Sequence, residues 1–324
     1  MLKIGIVGTF AASLEAAIRR NLTLPCEIVV SDEAGIVSRL AEIDILVTMV
    51  LTDGMGRACT RLKLVQVPGA GLDRIDHSAM PSGARLANVY GHENGIAEYV
   101  MGAMIALTRD FARLDLALRK GDWQSQWAIG VAPPPVWPEL AGKTIGILGY
   151  GRIGRAVARR ARAFDMKICA VRQDVRRSVE DNVAFLGGPE ATDETIERSD
   201  YVLIAMPATY ATVGLMDRRR LGLMKSTAFL INVARAEIVD EDALYDALAK
   251  RSIAGAVLDV WYRYPRESRP TLPATRPFGE LPNVLMTPHV SGWTDGMIDA
   301  RARLIVENIR RVALGETLLN LVEP

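Results

Sequence analysis

The sequence of 324 residues has almost no net charge and no long apolar run. Its 39 basic and 38 acidic side chains leave a formal charge of +1, so nothing in the charge favours nucleic acid or an anionic membrane as a partner. Charged residues or glycines interrupt each apolar stretch well before the ~18 residues that a membrane span needs. With 49% hydrophobic residues, the composition is that of an ordinary soluble globular protein, and the length suggests about two domains.

Cysteine and histidine are also scarce, with three residues of each. Cys26, Cys59 and Cys169 form no C-x-x-C pair, which favours small buried thiols in a reducing cytoplasm over a disulfide framework. The histidines do not cluster with one another or with the cysteines at metal-ligand spacing. We therefore predict a cytoplasmic protein without a metal site.

Residues 144–154 have the pattern of a strand, a tight turn and the start of a helix. Gly149, Gly151 and Gly154 follow a short apolar run with G-x-G-x-x-G spacing. In such a unit the first glycine makes the turn, the second lets a pyrophosphate approach the backbone, and the third lets the helix pack close to the strand. A second strand is predicted at 167–171, and this context separates a dinucleotide fingerprint from a plain glycine-rich turn.

Short β-branched runs alternate with helical patterns on both sides of this fingerprint, which predicts parallel α/β structure in two parts of the chain. The run at 4–8 is interpreted as the first strand and not as a signal peptide, because a charged helix follows where a cleavage site should lie. Strands are predicted at 2–7, 27–30, 43–48, 62–67, 183–186, 201–205, 227–232 and 254–257. Helices are predicted at 11–20, 33–40 and 240–250, with long ones at 93–120 and 293–314.

Two further segments have open interpretations. Glycines on both sides of Ala70 permit backbone angles closed to other residues and can turn successive N–H groups toward an anion, although a plain loop is an equal alternative. The segment 122–142 contains three tryptophans and four prolines. It is interpreted as a structured linker whose aromatic side chains can also pack on a partner subunit.

Taken in order, these motifs resemble the D-isomer-specific 2-hydroxyacid dehydrogenase family over nearly the whole chain. The matching segments are 69–76, 149–154, 207–215, 232–235, 255–260 and 287–289. The resemblance implies two Rossmann-like, doubly wound parallel-sheet domains, with the cofactor domain inserted into a discontinuous substrate domain. It assigns 1–97 and 291–324 to the substrate domain and 98–290 to the dinucleotide-binding domain, and it implies a homodimer.

The resemblance also implies residue roles. Arg235 would bind the substrate carboxylate with two parallel hydrogen bonds and polarise the carbonyl, and the amides around Gly69, Ala70 and Gly71 would hold the same carboxylate. His289 would give a proton to the carbonyl oxygen or take it in reverse, a task that suits an imidazole with a pKa of about 6.5. The implied cofactor-binding residues are Gly149, Gly151, Arg152, Ile153, Gly154, Arg172, Arg176, Pro207, Thr212, Val233, Ala234, Asp259, Ser291 and Gly292.

The chain departs from the family at the partner of this histidine. The family has a glutamate five residues after the position of Asp259, and here that residue is Tyr264. A carboxylate beside an imidazole raises its pKa, and a neutral phenol does so less. We therefore expect His289 to titrate lower than in relatives with the glutamate, and the reduction rate to fall at a lower pH. Glu267 is an alternative partner.

A second departure concerns the choice of cofactor. NAD-preferring folds carry an acidic residue about 20 residues into the unit to hold the ribose 2′-OH, whereas here the family alignment places Arg172, with Arg176 close behind. A guanidinium there pairs with a 2′-phosphate, which predicts NADP(H). NAD stays possible through Asp174 if the loop is shifted, and a solvated basic turn is the alternative.

The sequence thus predicts an oxidoreductase that transfers hydride between NADP(H) and a small 2-oxo acid or D-2-hydroxy acid. Because Tyr264 replaces the glutamate, two other functions remain open. One is a catalytically weak protein that senses the nucleotide, and the other is a dehydrogenase of an anion that is not a hydroxy acid.

Overall fold

A computed structural model describes residues 1–175, 183–265 and 269–322. Its internal contacts divide the chain into two compact units, Met1–His92 with Trp293–Pro324, and Glu93–Gly292. The sequence-based boundaries lay at 97/98 and 290/291. Each unit contains an α/β sheet of mainly parallel strands, which confirms the predicted fold class.

The elements are numbered in chain order. The strands are β1 Leu2–Val7, β2 Cys26–Ser31, β3 Ile45–Thr48, β4 Leu64–Gln66, β5 Arg85–Ala87, β6 Thr144–Leu148, β7 Lys167–Val171, β8 Phe185–Gly187, β9 Tyr201–Ile204, β10 Phe229–Asn232, β11 Gly255–Leu258, β12 Val284–Met286 and β13 Leu321–Val322. The α-helices are α1 Thr9–Ala12, α2 Glu15–Asn21, α3 Asp53–Ala58, α4 Glu93–Thr108, α5 Phe111–Leu118, α6 Arg152–Ala163, α7 Thr192–Arg198, α8 Arg218–Leu223, α9 Glu241–Ala249 and α10 Asp295–Leu314.

The first unit is built on a sheet with the strand order β13-β5-β4-β3-β1-β2. The pairs are parallel except β13 with β5, so the end of the chain returns antiparallel to the edge of this sheet. The apolar face of α10 buries Ala302, Ile305 and Ile309 in one cluster with Ile4 and Ile6 of β1. None of the helices in the described ranges has the length and apolar character of a membrane span.

Three predicted helices differ from the structure, and the first of them, predicted at 11–20, is divided between α1 and α2 by a turn at residues 13–14. Residues 33–36 form a turn followed by a 3-10 helix at Val37–Glu42, and this turn contains Gly35, a poor helix former whose amide donates to the Asp32 carboxylate at 2.6 Å. The single helix predicted at 93–120 is two helices. The chain breaks at Asp110, which adopts φ 56°, a left-handed angle that aspartate tolerates better than most residues.

The second unit is built on a parallel sheet with the strand order β12-β11-β10-β9-β6-β7-β8 over the residues described. The chain starts in the middle at β6, extends to one side through β7 and β8, and then continues on the other side from β9. Ligands bind in such sheets outside the carboxyl ends of the strands, beside the point where the order reverses. That point lies between β6 and β9. The loops that follow β6, β9, β10, β11 and β12 all lie at this edge, so the topology brings distant motifs together.

Candidate active site

The three fingerprint glycines have different surroundings at the end of β6. Gly149 adopts φ 107°, and a Cβ added there would lie 2.6 Å from the carbonyl of Ala205 at the end of β9. A Cβ on Gly154 would lie 2.5 Å from the carbonyl oxygen of Gly149, whereas one on Gly151 would meet nothing within 4 Å. The first and third glycines therefore let the protein pack against itself. The second leaves the backbone open to a ligand at the first turn of α6, where N–H groups favour phosphate.

Other predicted cofactor residues surround this turn. Arg152 begins α6, and Ile153 packs against the core beside it. In the loop after β9 the Thr212 hydroxyl donates to the Pro207 carbonyl at 2.7 Å and accepts from the Thr209 amide at 2.8 Å. The Thr212 side chain therefore shapes the loop that contains Pro207.

Two hydrogen bonds of the Asn232 side chain hold Arg235 at the end of β10. The Asn232 side chain accepts from the Ala234 amide at 3.1 Å and donates to the Arg235 carbonyl at 2.8 Å, which buries Val233 and Ala234. The backbone of Arg235 is extended, and its Nη1 donates to the Ala234 carbonyl at 2.8 Å. The half-buried guanidinium follows β10 at the same edge of the sheet as the dinucleotide turn.

His289 and Tyr264 form a direct pair. The Tyr264 hydroxyl lies 2.8 Å from Nδ1 of His289, and the Trp261 amide donates to the same hydroxyl at 3.2 Å. Partial burial and the positive charge of Arg235 lower the pKa of His289, while the Asp259 carboxylate opposes them. Burial raises the pKa of Tyr264, and the amide of Trp261 and the charge of Arg235 act against that rise. These side chains therefore influence one another electrostatically within one unit.

The Tyr264 hydroxyl can donate to His289, and this hydrogen bond selects one tautomer of the imidazole when it forms in that direction. A phenol has one hydrogen, and the Trp261 amide already donates to its oxygen, so the Tyr264 hydrogen is available to Nδ1. Neutral His289 then carries its own hydrogen on Nε2. Protonation of Nδ1 would require the hydroxyl hydrogen to turn away. A phenol that donates to Nδ1 favours the neutral imidazole and leaves Nε2–H as a hydrogen-bond donor.

Asp259 lies directly after β11 and is fully buried, and its carboxylate is hydrogen-bonded to other groups of the protein. Its carboxylate accepts from the Thr287 hydroxyl at 2.6 Å and from the Val290 and Ser291 amides at 2.9 Å each. Sequence reasoning assigned this residue to the nicotinamide and missed the link to the chain around His289. The spacing within the Thr-Pro-His motif was a signal, since Thr287 lies two residues from the histidine.

The predicted carboxylate loop belongs to the first unit. Neither Gly69 nor Gly71 is among the glycines with a positive φ, so the loop does not use the backbone angles that these residues permit. A Cβ on Gly69 would instead lie 3.3 Å from the Met49 sulfur, so close packing is what favours a small residue there. The loop is tied down through its carbonyls, because Asn88 Nδ2 donates to the Ala70 oxygen at 3.0 Å.

The residues predicted to select the cofactor lie at the end of β7. Arg172 directly follows this strand, and its amide donates to the Gly187 carbonyl at 3.0 Å. Arg176 lies outside the described residues, as does Glu267. Across 1–175, 183–265 and 269–322, no group of three or more His, Cys, Asp or Glu side chains is arranged to hold a metal ion.

Comparison with known proteins agrees with this arrangement. Residues 101–291 match the family described as D-isomer specific 2-hydroxyacid dehydrogenase, NAD binding domain. A glyoxylate reductase of Pyrococcus furiosus is 33% identical over 88% of this chain and 84% of its own length. A solved D-isomer specific 2-hydroxyacid dehydrogenase of Xanthobacter autotrophicus Py2, in complex with NADPH and MES, has TM-score 0.79 and 26% identity, covering 100% of this chain and 98% of that one. A solved acyclic imino acid reductase in complex with NADPH and D-Arg has TM-score 0.81 and 25% identity, covering 99% and 100%.

A family match over more than half of the chain and a relative that is 33% identical over most of both chains point to one family. The second unit described above contains almost the whole matched region. The chain therefore belongs to the D-isomer-specific 2-hydroxyacid dehydrogenase family and is an NAD(P)-binding oxidoreductase.

Proposed function

We propose that the protein is an NADP(H)-dependent reductase of small 2-oxo acids that yields the D-2-hydroxy acid. The proposed substrates are in the size range of glyoxylate or hydroxypyruvate, or somewhat larger. The observation that carries the proposal is the pair of His289 and Tyr264, which lies within electrostatic influence of Arg235 in the unit that contains the dinucleotide turn. The glyoxylate reductase similarity supports the same substrate class.

In this proposal Arg235 donates two hydrogen bonds to the substrate carboxylate and draws electron density from the adjacent carbonyl. His289 donates a proton to the carbonyl oxygen and stabilises the charge that develops there. Bound nicotinamide supplies the hydride. The pyrophosphate of the cofactor would bind at Gly149, Gly151 and Gly154, and its adenosine ribose would lie near Arg172. The nicotinamide end would be lined by Val233, Ala234, Asp259, Ser291 and Gly292.

The first experiment measures NADPH oxidation against a panel of 2-oxo acids with the wild-type protein and Arg235→Ala. We expect turnover with at least one small 2-oxo acid and a loss of kcat/KM of roughly 100-fold or more in the variant, because the buried charge-assisted contacts to the carboxylate are lost. Arg235→Lys tests whether the two parallel hydrogen bonds of the guanidinium are needed, since an ammonium keeps the charge without them.

Thermal unfolding of both variants is the control, because loss of the fold would also abolish turnover. Wild-type activity in a folded Arg235→Ala protein would contradict the assignment. Tight NADPH binding without turnover on any panel member would favour the nucleotide-sensing alternative. The panel includes 2-oxo acids with added ammonia or methylamine, since one solved neighbour is an imino acid reductase.

A second prediction concerns pH. The pKa of His289 is lowered, so the cationic acid is lost at lower pH than for an ordinary histidine. Where the imidazolium is the proton donor, the reduction rate falls as pH rises through that lowered pKa. Tyr264→Glu places a carboxylate against Nδ1, which raises the pKa and moves the fall to higher pH. Tyr264→Phe, which adds no charge, is the matched control. Identical pH–rate profiles for wild type and Tyr264→Glu would rule out this coupling.

A third prediction concerns the 2′-phosphate of the cofactor. We propose that Arg172 pairs with this phosphate, so Arg172→Ala should weaken NADPH binding by roughly tenfold or more and leave the Kd for NADH nearly unchanged. Arg198→Ala removes an exposed arginine at the end of α7, before β9, and serves as the control. Equal Kd values for the two cofactors, unaffected by the loss of Arg172, would show that this arginine does not select the cofactor.

We also propose that the protein works as a cytoplasmic homodimer. Its cysteines are free thiols, as suits a reducing compartment. Large apolar side chains are exposed between α5 and β6, with Trp127 at 85% and Ile129 at 102% exposure. Light scattering should give a mass near twice 35.4 kDa, and the double change Trp127→Glu with Ile129→Glu should give the single-chain mass. Leu272→Glu, at another exposed apolar position, is the control. A monomeric wild type would contradict the proposal.

A further inference from the structure

Two hydroxyl groups connect the hydrogen bonds of Asp259 to α4, a helix far from it in the sequence. The Tyr99 hydroxyl on α4 lies 2.6 Å from the Thr287 hydroxyl, which lies 2.6 Å from Oδ1 of Asp259. The carboxylate accepts, so the single hydrogen of Thr287 is committed to Asp259. Tyr99 must therefore donate to Thr287. The result is a directed chain from Tyr99 through Thr287 to Asp259.

This chain ends at the backbone on either side of His289. Oδ1 and Oδ2 of Asp259 accept from the amides of Val290 and Ser291, the two residues that follow the histidine. The Trp261 indole Nε1 donates to the Thr287 carbonyl at 2.8 Å, which holds the chain before it. Both flanks of the histidine are thus fixed by a carboxylate and an indole that are almost fully buried.

The histidine itself needs such support. His289 adopts φ 58°, a left-handed backbone angle that costs a non-glycine residue free energy and persists when the surrounding structure enforces it. The same angle accompanies the 2.8 Å approach of Nδ1 to Tyr264. If the segment relaxed, the imidazole would lose this orientation while the strands below stayed in place.

We propose that Tyr99 is a positioning residue for His289, acting through Thr287 and Asp259. The proposal rests on the proposed function only for its kinetic consequence, because the hydrogen-bond chain is a property of the folded second unit. In this view Asp259 first fixes the catalytic segment, and any contact with nicotinamide is made by a carboxylate that the protein already orients. Burial raises the pKa of Tyr99 to about 12, so the hydroxyl keeps its hydrogen throughout the working pH range.

The test compares Tyr99→Phe with Tyr201→Phe. Tyr201 makes the same kind of bond in the same unit, a 2.9 Å contact between its hydroxyl and that of Thr108 at the end of α4, without a link to residues 287–291. Removing one hydroxyl from a partly buried pair costs both variants similar stability. We expect kcat to fall about tenfold in Tyr99→Phe with the Kd of NADPH unchanged, and to stay within about twofold of wild type in Tyr201→Phe.

A second readout does not depend on turnover. The chain has three histidines, so imidazole NMR signals are few, and the signal missing in His289→Gln identifies that of His289. We expect the His289 signal and its titration to change in Tyr99→Phe and to stay the same in Tyr201→Phe. If no 2-oxo acid is turned over, the proposed function fails while the NMR comparison still tests the positioning role.

Variants of Thr287 test whether Tyr99 acts through this residue. Thr287→Val removes the hydroxyl at nearly constant shape, and adding Tyr99→Phe to it should cost nothing more, since the chain is already broken. Thr287→Ser keeps the hydroxyl and should restore the wild-type signal of His289. Additive losses in the double variant, or equal effects of Tyr99→Phe and Tyr201→Phe on the His289 signal, would overturn the proposal.

Discussion

The buried carboxylate of Asp259 is the interaction on which the candidate site depends. It accepts three hydrogen bonds from residues 287–291 and so ties the end of β11 to the segment after β12. An ionised carboxylate is costly to bury unless donors surround it, and here two backbone amides and a hydroxyl fill that role. The left-handed backbone of His289 is one consequence of this arrangement, and the approach of its imidazole to Tyr264 is another.

The electrostatic character of the site follows from this placement. Arg235 supplies a fixed positive charge, and a neutral His289 with its hydrogen on Nε2 adds a donor without adding charge. The family carries a carboxylate where this chain has Tyr264, and that carboxylate would favour the imidazolium. With the phenol instead, the site has Arg235 as its fixed cation, and a smaller fraction of His289 is in the protonated, acidic form at neutral pH. This difference sets the expected pH range of the enzyme and leaves the fold unchanged.

The sequence predicts the parts of this account that depend on local chemistry. The strand, turn and helix at 144–154 follow from the spacing of the glycines. At position 149 glycine is favoured because the backbone adopts φ 107° and lies close to Ala205. The position of Tyr264 relative to Asp259 was also readable from the motif spacing. The parallel sheet then brings these loops to one edge without further information.

Other features depend on contacts between distant residues and have no local signal. Tyr99 and Thr287 are 188 positions apart, and nothing in the helical pattern of α4 distinguishes this tyrosine from a packing residue. The left-handed angle of Asp110 divides the helix predicted at 93–120, and the apolar pattern of that segment gives no sign of the break. The glycines around Ala70 permit unusual backbone angles, and whether a loop uses them depends on its packing, here against Met49.

The roles of Arg235 and His289 can be tested with a crystal structure in complex with NADPH and oxamate, a 2-oxo acid analogue that accepts hydride poorly. We expect the oxamate carboxylate to bind the Arg235 guanidinium and its carbonyl oxygen to lie within hydrogen-bond distance of Nε2 of His289. We also expect the hydrogen bonds of Asp259 to residues 287–291 to stay intact. Oxamate bound beside the nicotinamide without contact to either side chain would contradict these roles.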